Sequence, residues 1–303
     1  MINTGLTDEY EFLNDRPLFV SMSGGKDSTA AALFLRERGI GFTPIFIDTG
    51  WEHPSTYEYI EKILIPFFGD FTILRNEKYF KDNKEWLGGF EQMLFYHKLF
   101  PNGKMKFCTH QLKIIPIMSF YVECFLKTNK KPISVLGIRA EESFKRSTMN
   151  EKEEKDEATI WRPIIKYREA DVIELHHKHH IPPNPLYLKG YSRVGCYPCI
   201  YARKHEIRHI SLSDPDRIEY IARLEDKVSS LREGDRKQTF FKSKLKDKKQ
   251  MNIKEIAEWS NTSKGLSLDD QEEIEEDGCM RWGLCETLPK QDKHLQISLF
   301  KDN

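Results

Sequence analysis

The stretch Ser21 to Ser28, SMSGGKDS, directly follows the apolar run Pro17-Leu18-Phe19-Val20 and directly precedes the helix-like TAAALFLRERG. A Ser23-Gly24-Gly25 turn lets backbone N–H groups point inward, and the N-terminus of the helix behind it favours an anion. Lys26 adds a positive charge, and the hydroxyls of Ser23 and Ser28 add donors. The chemistry is phosphate binding. Two common kinds of phosphate loop are excluded by spacing. The pattern G-x-x-x-x-G-K-[ST] fails because Val20 stands in the place of its first glycine and Asp27 follows Lys26, and G-x-G-x-x-G is absent.

Other residues complete an anion site. Arg139 and Arg146 in GIRAEESFKR are permanently charged and suit bidentate contacts to phosphate or sulfate. Lys113 in CTHQLK is a third cation. Asp48, closing PIFID, is placed to contact a nucleotide or a Mg²⁺ ion. Glu142 and Ser143 read equally as fixing the arginines and as caps or loop organisers. Six cysteines in 303 residues argue for metal or redox roles where they cluster rather than for a disulfide scaffold. Cys196 and Cys199 form a C-x-x-C, Cys279 and Cys285 lie close together, and Cys124 in FYVECFL reads as a core residue.

These residues need elements to hold them. Short apolar runs (PLFVSMS, TPIFIDTG, FTILR, PISVLGIR) alternate with helix-like segments from about Ser28 to Arg38 and Pro54 to Ile65. That grammar gives an α/β fold with a doubly wound, mainly parallel sheet, whose ligands sit beyond the carboxyl ends of the strands. SGGKDS, DTG and GIRAEES all fall there. A helix capped at Ser213-Asp214-Pro215 carries Ile218, Ile221, Leu224, Val228 and Leu231 on one side and reads as packing. The run Glu151 to Ala158, EKEEKDEA, reads as an exposed inserted loop. His176 to His180, HHKHH, reads as solvated helix surface rather than a metal patch. We expect a nucleotide-binding domain over 1–190, a Cys-containing helical extension over 191–290 and a flexible tail over 291–303.

SGGKDS, DTGWEHPSTYEYI, CTHQLKIIP, GIRAEESFKR, WRPIIKYREADV and IPPNPLYLKGYSRVGCYPC occur here in one order. Together they resemble the PP-loop superfamily of adenine-nucleotide α-hydrolases, in its phosphoadenosine-phosphosulfate (PAPS) reductase-like branch. The resemblance covers roughly residues 17 to 205. It implies a nucleotide, ATP with Mg²⁺, held by Ser23, Gly24, Gly25, Lys26, Asp27, Ser28, Asp48, Arg139, Glu142, Ser143 and Arg146, with Lys26, Asp27, Lys113 and Arg139 in the chemistry. Most members of the superfamily split ATP between the α and β phosphates; the reductases pass a sulfonate to a cysteine. The loop serves both.

Cys108, Cys196 and Cys199 coincide with ligand positions of iron–sulfur members, where adjacent cysteines usually open the set. Phe107 occupies one of those places, so a fourth thiolate must come from elsewhere, Cys285 in preference to Cys279. The implied cofactor is an iron–sulfur cluster of the 4Fe-4S type, with zinc as the rival. This pattern resembles the cluster-bearing ATP pyrophosphatases of DNA sulfur modification. A thiol-dependent reductase needs a Cys-Gly-x-His context near its C-terminus, and this chain has WGLCETL. Gln296 to Phe300, QISLF, resembles the peptide that docks on the bacterial replication sliding clamp.

The expected function is therefore ATP pyrophosphatase and adenylating activity in sulfur incorporation into nucleic acid, with DNA and a cysteine desulfurase as partners. PAPS or adenosine-phosphosulfate reduction and a non-catalytic nucleotide-sensing module are the alternatives. The basic-aromatic segment RKQTFFKSKLKDKK would meet DNA phosphates. Net charge is zero, which leaves nucleic acid neither favoured nor excluded. No run approaches the roughly 18 apolar residues of a membrane helix, and the N-terminus lacks a signal pattern, so we expect a cytoplasmic protein without a membrane partner.

Overall fold

β-branched and aromatic residues in short runs form the strands, and Ala- and Leu-rich segments between them form the crossovers. The computed structural model describes residues 8–80, 88–234, 237–241, 250–262 and Trp282. After a 3-10 turn at Asp8–Leu13 come β1 (Leu18–Ser21), α1 (Lys26–Glu37), β2 (Thr43–Ile47) and α2 (Pro54–Tyr59). A π turn, Ile60–Leu64, carries α2 into α3 (Ile65–Phe68), followed by β3 (Thr72–Leu74). Next are α4 (Phe90–His97), α5 (Phe107–Thr109), a second π turn at His110–Ile114, α6 (Ile115–Thr128) and β4 (Ile133–Leu136). The short α7 (Phe144–Ser147) leads to β5 (Lys152–Glu154) and β6 (Thr159–Trp161). The remainder is helical: α8 (Glu169–Lys178), α9 (Pro185–Leu188), α10 (Lys204–Ser213), α11 (Pro215–Ser230) and α12 (Ile253–Ser260).

The six strands lie in the order β3-β2-β1-β4-β6-β5. Every pairing is parallel except that of β5 with β6. Ser21, the last residue of β1, stands opposite Ile45 of β2 and Leu136 of β4, so the loops after these three strands open at one edge. The doubly wound, mainly parallel sheet is the one expected.

The run Glu151 to Ala158 departs from expectation: it supplies β5 instead of a loop. Its charges are spent at the sheet edge, where Glu153 takes Arg162 at 2.7 Å and Glu154 takes Lys131 at 3.0 Å. Charged side chains are a usual guard on an edge strand, which is why the composition read as solvated loop.

One core lies around α1, whose Leu33 and Leu35 are fully buried with Val20, Val135 and Trp161. Each such leucine contributes about 1.5–3 kcal/mol of transfer free energy. A second core joins Trp51, Phe90 and Met93 to Ile221, Leu224 and Ile256, so the C-terminal helices pack on the loop that follows β2. In α11, Asp214 caps by accepting from the N–H of Arg217 at 3.2 Å, and Ile218, Ile221, Leu224 and Val228 are buried as the periodicity demands. Cys124 is half-buried against a third, smaller cluster around Phe19 and Tyr121.

Candidate functional site

The turn after β1 is built on a glycine in the left-handed region. Gly24 has φ +76°, and a Cβ there would lie 2.9 Å from Cγ2 of Thr56. Its carbonyl accepts from Asn184 Nδ2 at 3.1 Å. The Ser28 hydroxyl accepts from the Ser23 N–H at 3.2 Å and donates to the Gly25 carbonyl at 2.9 Å. Lys26 opens α1 and is buried. Its ammonium lies 3.1 Å from Glu169 and 3.8 Å from Asp27. Burial alone would depress the lysine; Tyr187, Asp27 and Glu169 together outweigh it and hold the group above the ordinary lysine range.

Arg139 reaches this loop from the end of β4. Gly137 allows the approach, since a Cβ there would stand 2.3 Å from the Asp27 carbonyl oxygen and 2.6 Å from Cα of Ser28. Two residues later the Arg139 guanidinium, 4% exposed, pairs with Asp27 and Glu141. Its backbone N–H donates to Glu142 at 3.0 Å. Glu142 also pairs with Arg146, and Ser143 caps α7 by accepting from the Arg146 N–H at 3.3 Å. Both readings of Glu142 and Ser143 therefore meet in one arrangement: the cap and the arginine partner are neighbours. Arg139 is turned inward on carboxylates, while Arg146 stands partly exposed at the rim.

Past β2, Asp48 accepts from the N–H of Gly50 at 2.9 Å, and the Tyr57 hydroxyl stands 2.8 Å from Asp48 and 3.0 Å from Glu52. Burial, with the two carboxylates beside it, drives the Tyr57 hydroxyl well above the usual tyrosine range. The same loop is stitched to the C-x-x-C. The backbones of Glu52 and Cys196 form an isolated antiparallel bridge, the Tyr197 N–H donates to the Trp51 carbonyl at 2.7 Å, and Trp51 Nε1 donates to the Pro198 carbonyl at 3.0 Å.

Lys113 sits on the π turn between α5 and α6. The acidic groups around it, Cys196 first and then Glu52, Cys199 and Cys108, outweigh burial and hold it above the lysine range. Burial pushes the Cys196 thiol up to about 11, with Lys113 opposing, and raises Cys108 as well. Three thiols thus share the field of one lysine, which is the right donor chemistry for a cluster or zinc. Among the described residues, however, no group of three or more His, Cys, Asp or Glu side chains is disposed to hold a metal ion. Cys285, Cys279, most of the RKQTFFKSKLKDKK segment and the Gln296 to Phe300 peptide lie outside the described residues.

A family model for the phosphoadenosine phosphosulfate reductase domain matches residues 17–202. The chain belongs to the phosphoadenosine phosphosulfate reductase domain family. Among relatives, an uncharacterized 37.8 kDa protein of Escherichia phage 186 is 32% identical over 74% of this chain and 78% of its own. An uncharacterized protein of Methanocaldococcus jannaschii is 26% identical over 70% of this chain but only 44% of that protein. The adenosine 5'-phosphosulfate reductase of Bacillus pumilus is 26% identical over 51% of this chain and 61% of the enzyme. Family members thus include reductases, and the matched region takes in the loop, Arg139 and the C-x-x-C.

Several residues that shape the loop after β1 carry no obvious chemistry in the sequence. Asn184 and Tyr187 sit within IPPNPLY and Glu169 within WRPIIKYREADV, so the motifs contained them without revealing their roles. Reading HHKHH as solvated surface is corrected at one position. His176 is buried, with Nε2 3.0 Å from the Lys26 carbonyl oxygen, because α8 packs along α1. His177 and His180 are exposed as expected. No helix among the described residues is long and apolar enough to cross a membrane.

Proposed function

We propose that this protein is an ATP pyrophosphatase and adenylating enzyme of sulfur incorporation into nucleic acid, with DNA phosphorothioation as its reaction. The observation that carries the reading is the pair of buried cations Lys26 and Arg139, set on either side of Asp27 at the ends of adjacent strands β1 and β4. Two cations beside an anion-favouring helix N-terminus suit the linked anionic groups of an adenine nucleotide. In this scheme a backbone phosphate oxygen of the acceptor attacks the α-phosphorus of ATP and pyrophosphate leaves. The outer sulfur of a cysteine-desulfurase persulfide then attacks the activated phosphorus and displaces AMP, and a second thiol cleaves the S–S bond so formed, leaving the phosphorothioate and carrying the desulfurase cysteine away as a disulfide. Asp48 would take part in holding Mg²⁺, and Arg146 at the rim would face the nucleotide.

Cys108, Cys196 and Cys199 would hold an iron–sulfur cluster together with Cys285, tying the turn before α6 to the C-x-x-C; zinc is the competing occupant. The DNA assignment is supported by the absence of a Cys-Gly-x-His context and by the clamp-like peptide at Gln296 to Phe300, through which the enzyme would be brought to replicating DNA.

The test is pyrophosphate release from ATP by anaerobically purified protein, with and without duplex DNA and a persulfide donor. Release stimulated by DNA and abolished in Lys26→Ala supports the proposal. Sulfite formed from a sulfonucleotide, without pyrophosphate release, replaces it by reduction. Nucleotide binding with neither product points to a sensing module.

A further inference from the structure

Both main-chain groups of Lys26 are held by side chains distant in sequence. Its N–H donates to the Tyr187 hydroxyl at 3.1 Å, and its carbonyl oxygen lies 3.0 Å from His176 Nε2. A carbonyl only accepts, so Nε2 carries the proton and Nδ1 is left as an acceptor. Burial, the largest influence, holds His176 below its ordinary range, against backbone contacts with Lys26 and Ile181 that favour the charged ring. Its Nδ1 is buried without a hydrogen-bond partner among the described residues.

Trp282 leans on both holders. Its ring centroid lies 5.2 Å from that of His176, edge-on at 83°, and 5.8 Å from that of Tyr187. The indole is fully buried, and its Nε1–H is likewise without a partner among the described residues. A buried polar group left unpaired is costly. Among the described residues, a donor and an acceptor without partners thus occupy neighbouring rings whose centroids are 5.2 Å apart.

We infer that Trp282 is a positioning residue for the phosphate loop, its indole N–H donating to His176 Nδ1 in the nucleotide-bound protein. That bond fixes the tautomer which holds the Lys26 carbonyl, and the ring backs Tyr187, which holds the Lys26 N–H. Nucleotide affinity is thereby coupled to Trp282, a residue far along the chain from the loop. The inference rests on reading the loop as the nucleotide site.

The experiment compares the full-length protein with Trp282→Phe, which keeps a ring but no N–H, and Trp282→Ala, which keeps neither. Affinities for ATP and for adenosine 5'-phosphosulfate are measured by titration calorimetry, the His176 tautomer by nitrogen NMR shifts, and the ligand-free melting temperature alongside. Expected is a loss of about 3–10-fold in affinity for the nucleotide that wild type binds in Trp282→Phe, and a larger loss in Trp282→Ala. His176 should shift from a single Nε2–H tautomer in wild type to a mixture in Trp282→Phe, while the melting temperature of that variant stays near wild type. Unchanged affinity and tautomer in Trp282→Phe overturn the inference, as does an affinity loss that merely follows a lowered melting temperature. If wild type binds neither nucleotide, the reading of the loop falls together with the inference. Should Trp282→Ala not fold, the Trp282→Phe comparison alone decides.

Discussion

Arg139 Nε donates to Asp27 Oδ1 at 2.5 Å, joining the third residue after β4 to the second residue of α1. Asp27 also lies 3.8 Å from the Lys26 ammonium, so one carboxylate is shared by two buried cations that also pair with Glu169 and Glu141. Removing one member of a buried charge pair strands the other. Asp27→Ala should therefore cost about 3 kcal/mol of stability in the ligand-free protein, read by urea unfolding. A loss under about 1 kcal/mol would show that Glu141 and Glu169 suffice as partners.

The contact depends on Gly137. A methyl group there meets backbone atoms of Asp27 and Ser28, and backbone cannot rotate away as a long side chain can. Gly137→Ala should cost about 1–3 kcal/mol and, by moving β4 away from α1, should weaken nucleotide binding more than a surface Gly41→Ala, where a Cβ meets nothing within 4 Å. Thermal melts and nucleotide titration of both variants check this. Equal behaviour of the two would refute it.

Strands β1 to β4 and the helix at Pro215 were legible because apolar spacing dictates them, and the turn after β1 because Ser-Gly-Gly interrupts that spacing; β6, three residues long, was not. The residues that hold the loop were not. His176, Asn184 and Tyr187 touch the main chain of Gly24 and Lys26, and a side chain gripping backbone leaves no mark on the sequence of the segment it grips. β5 was missed because ion pairs at a sheet edge and a solvated loop share one composition. Glu225 was missed because an apolar periodicity of 218, 221, 224 and 228 says nothing of the carboxylate that lies among them.

The cysteines divide by surroundings. Cys108, Cys196 and Cys199 share the field of Lys113, whereas Cys124 packs beside Phe19 and Tyr121. Cys196→Ser or Cys199→Ser should strip most iron and acid-labile sulfide, or zinc, from anaerobically purified protein, while Cys124→Ser leaves the metal content at the wild-type level. Elemental analysis decides, and wild-type protein free of metal would remove the cofactor from the proposal.

Glu225 ties three segments together: Oε1 accepts from the N–H of Phe240 at 2.7 Å and Oε2 from that of Ile253 at 3.0 Å. Burial outweighs these two bonds and pushes the carboxyl from its ordinary 4.5 up to about 7. A raised value means that the folded protein holds the proton more tightly than the unfolded chain. The associated stability is fully present below about pH 4.5 and is lost as pH rises through about 7. Across this window the slope reaches up to about 1.4 kcal/mol per pH unit. Glu225→Gln removes the titration but turns an amide NH₂ toward one of the two N–H donors. The variant should melt below wild type at about pH 5, by about 1–2 kcal/mol, and the gap should close and then reverse toward about pH 8, because ionisation costs wild type more than that. Melting curves that stay parallel over that range would show that Glu225 does not titrate in the folded protein.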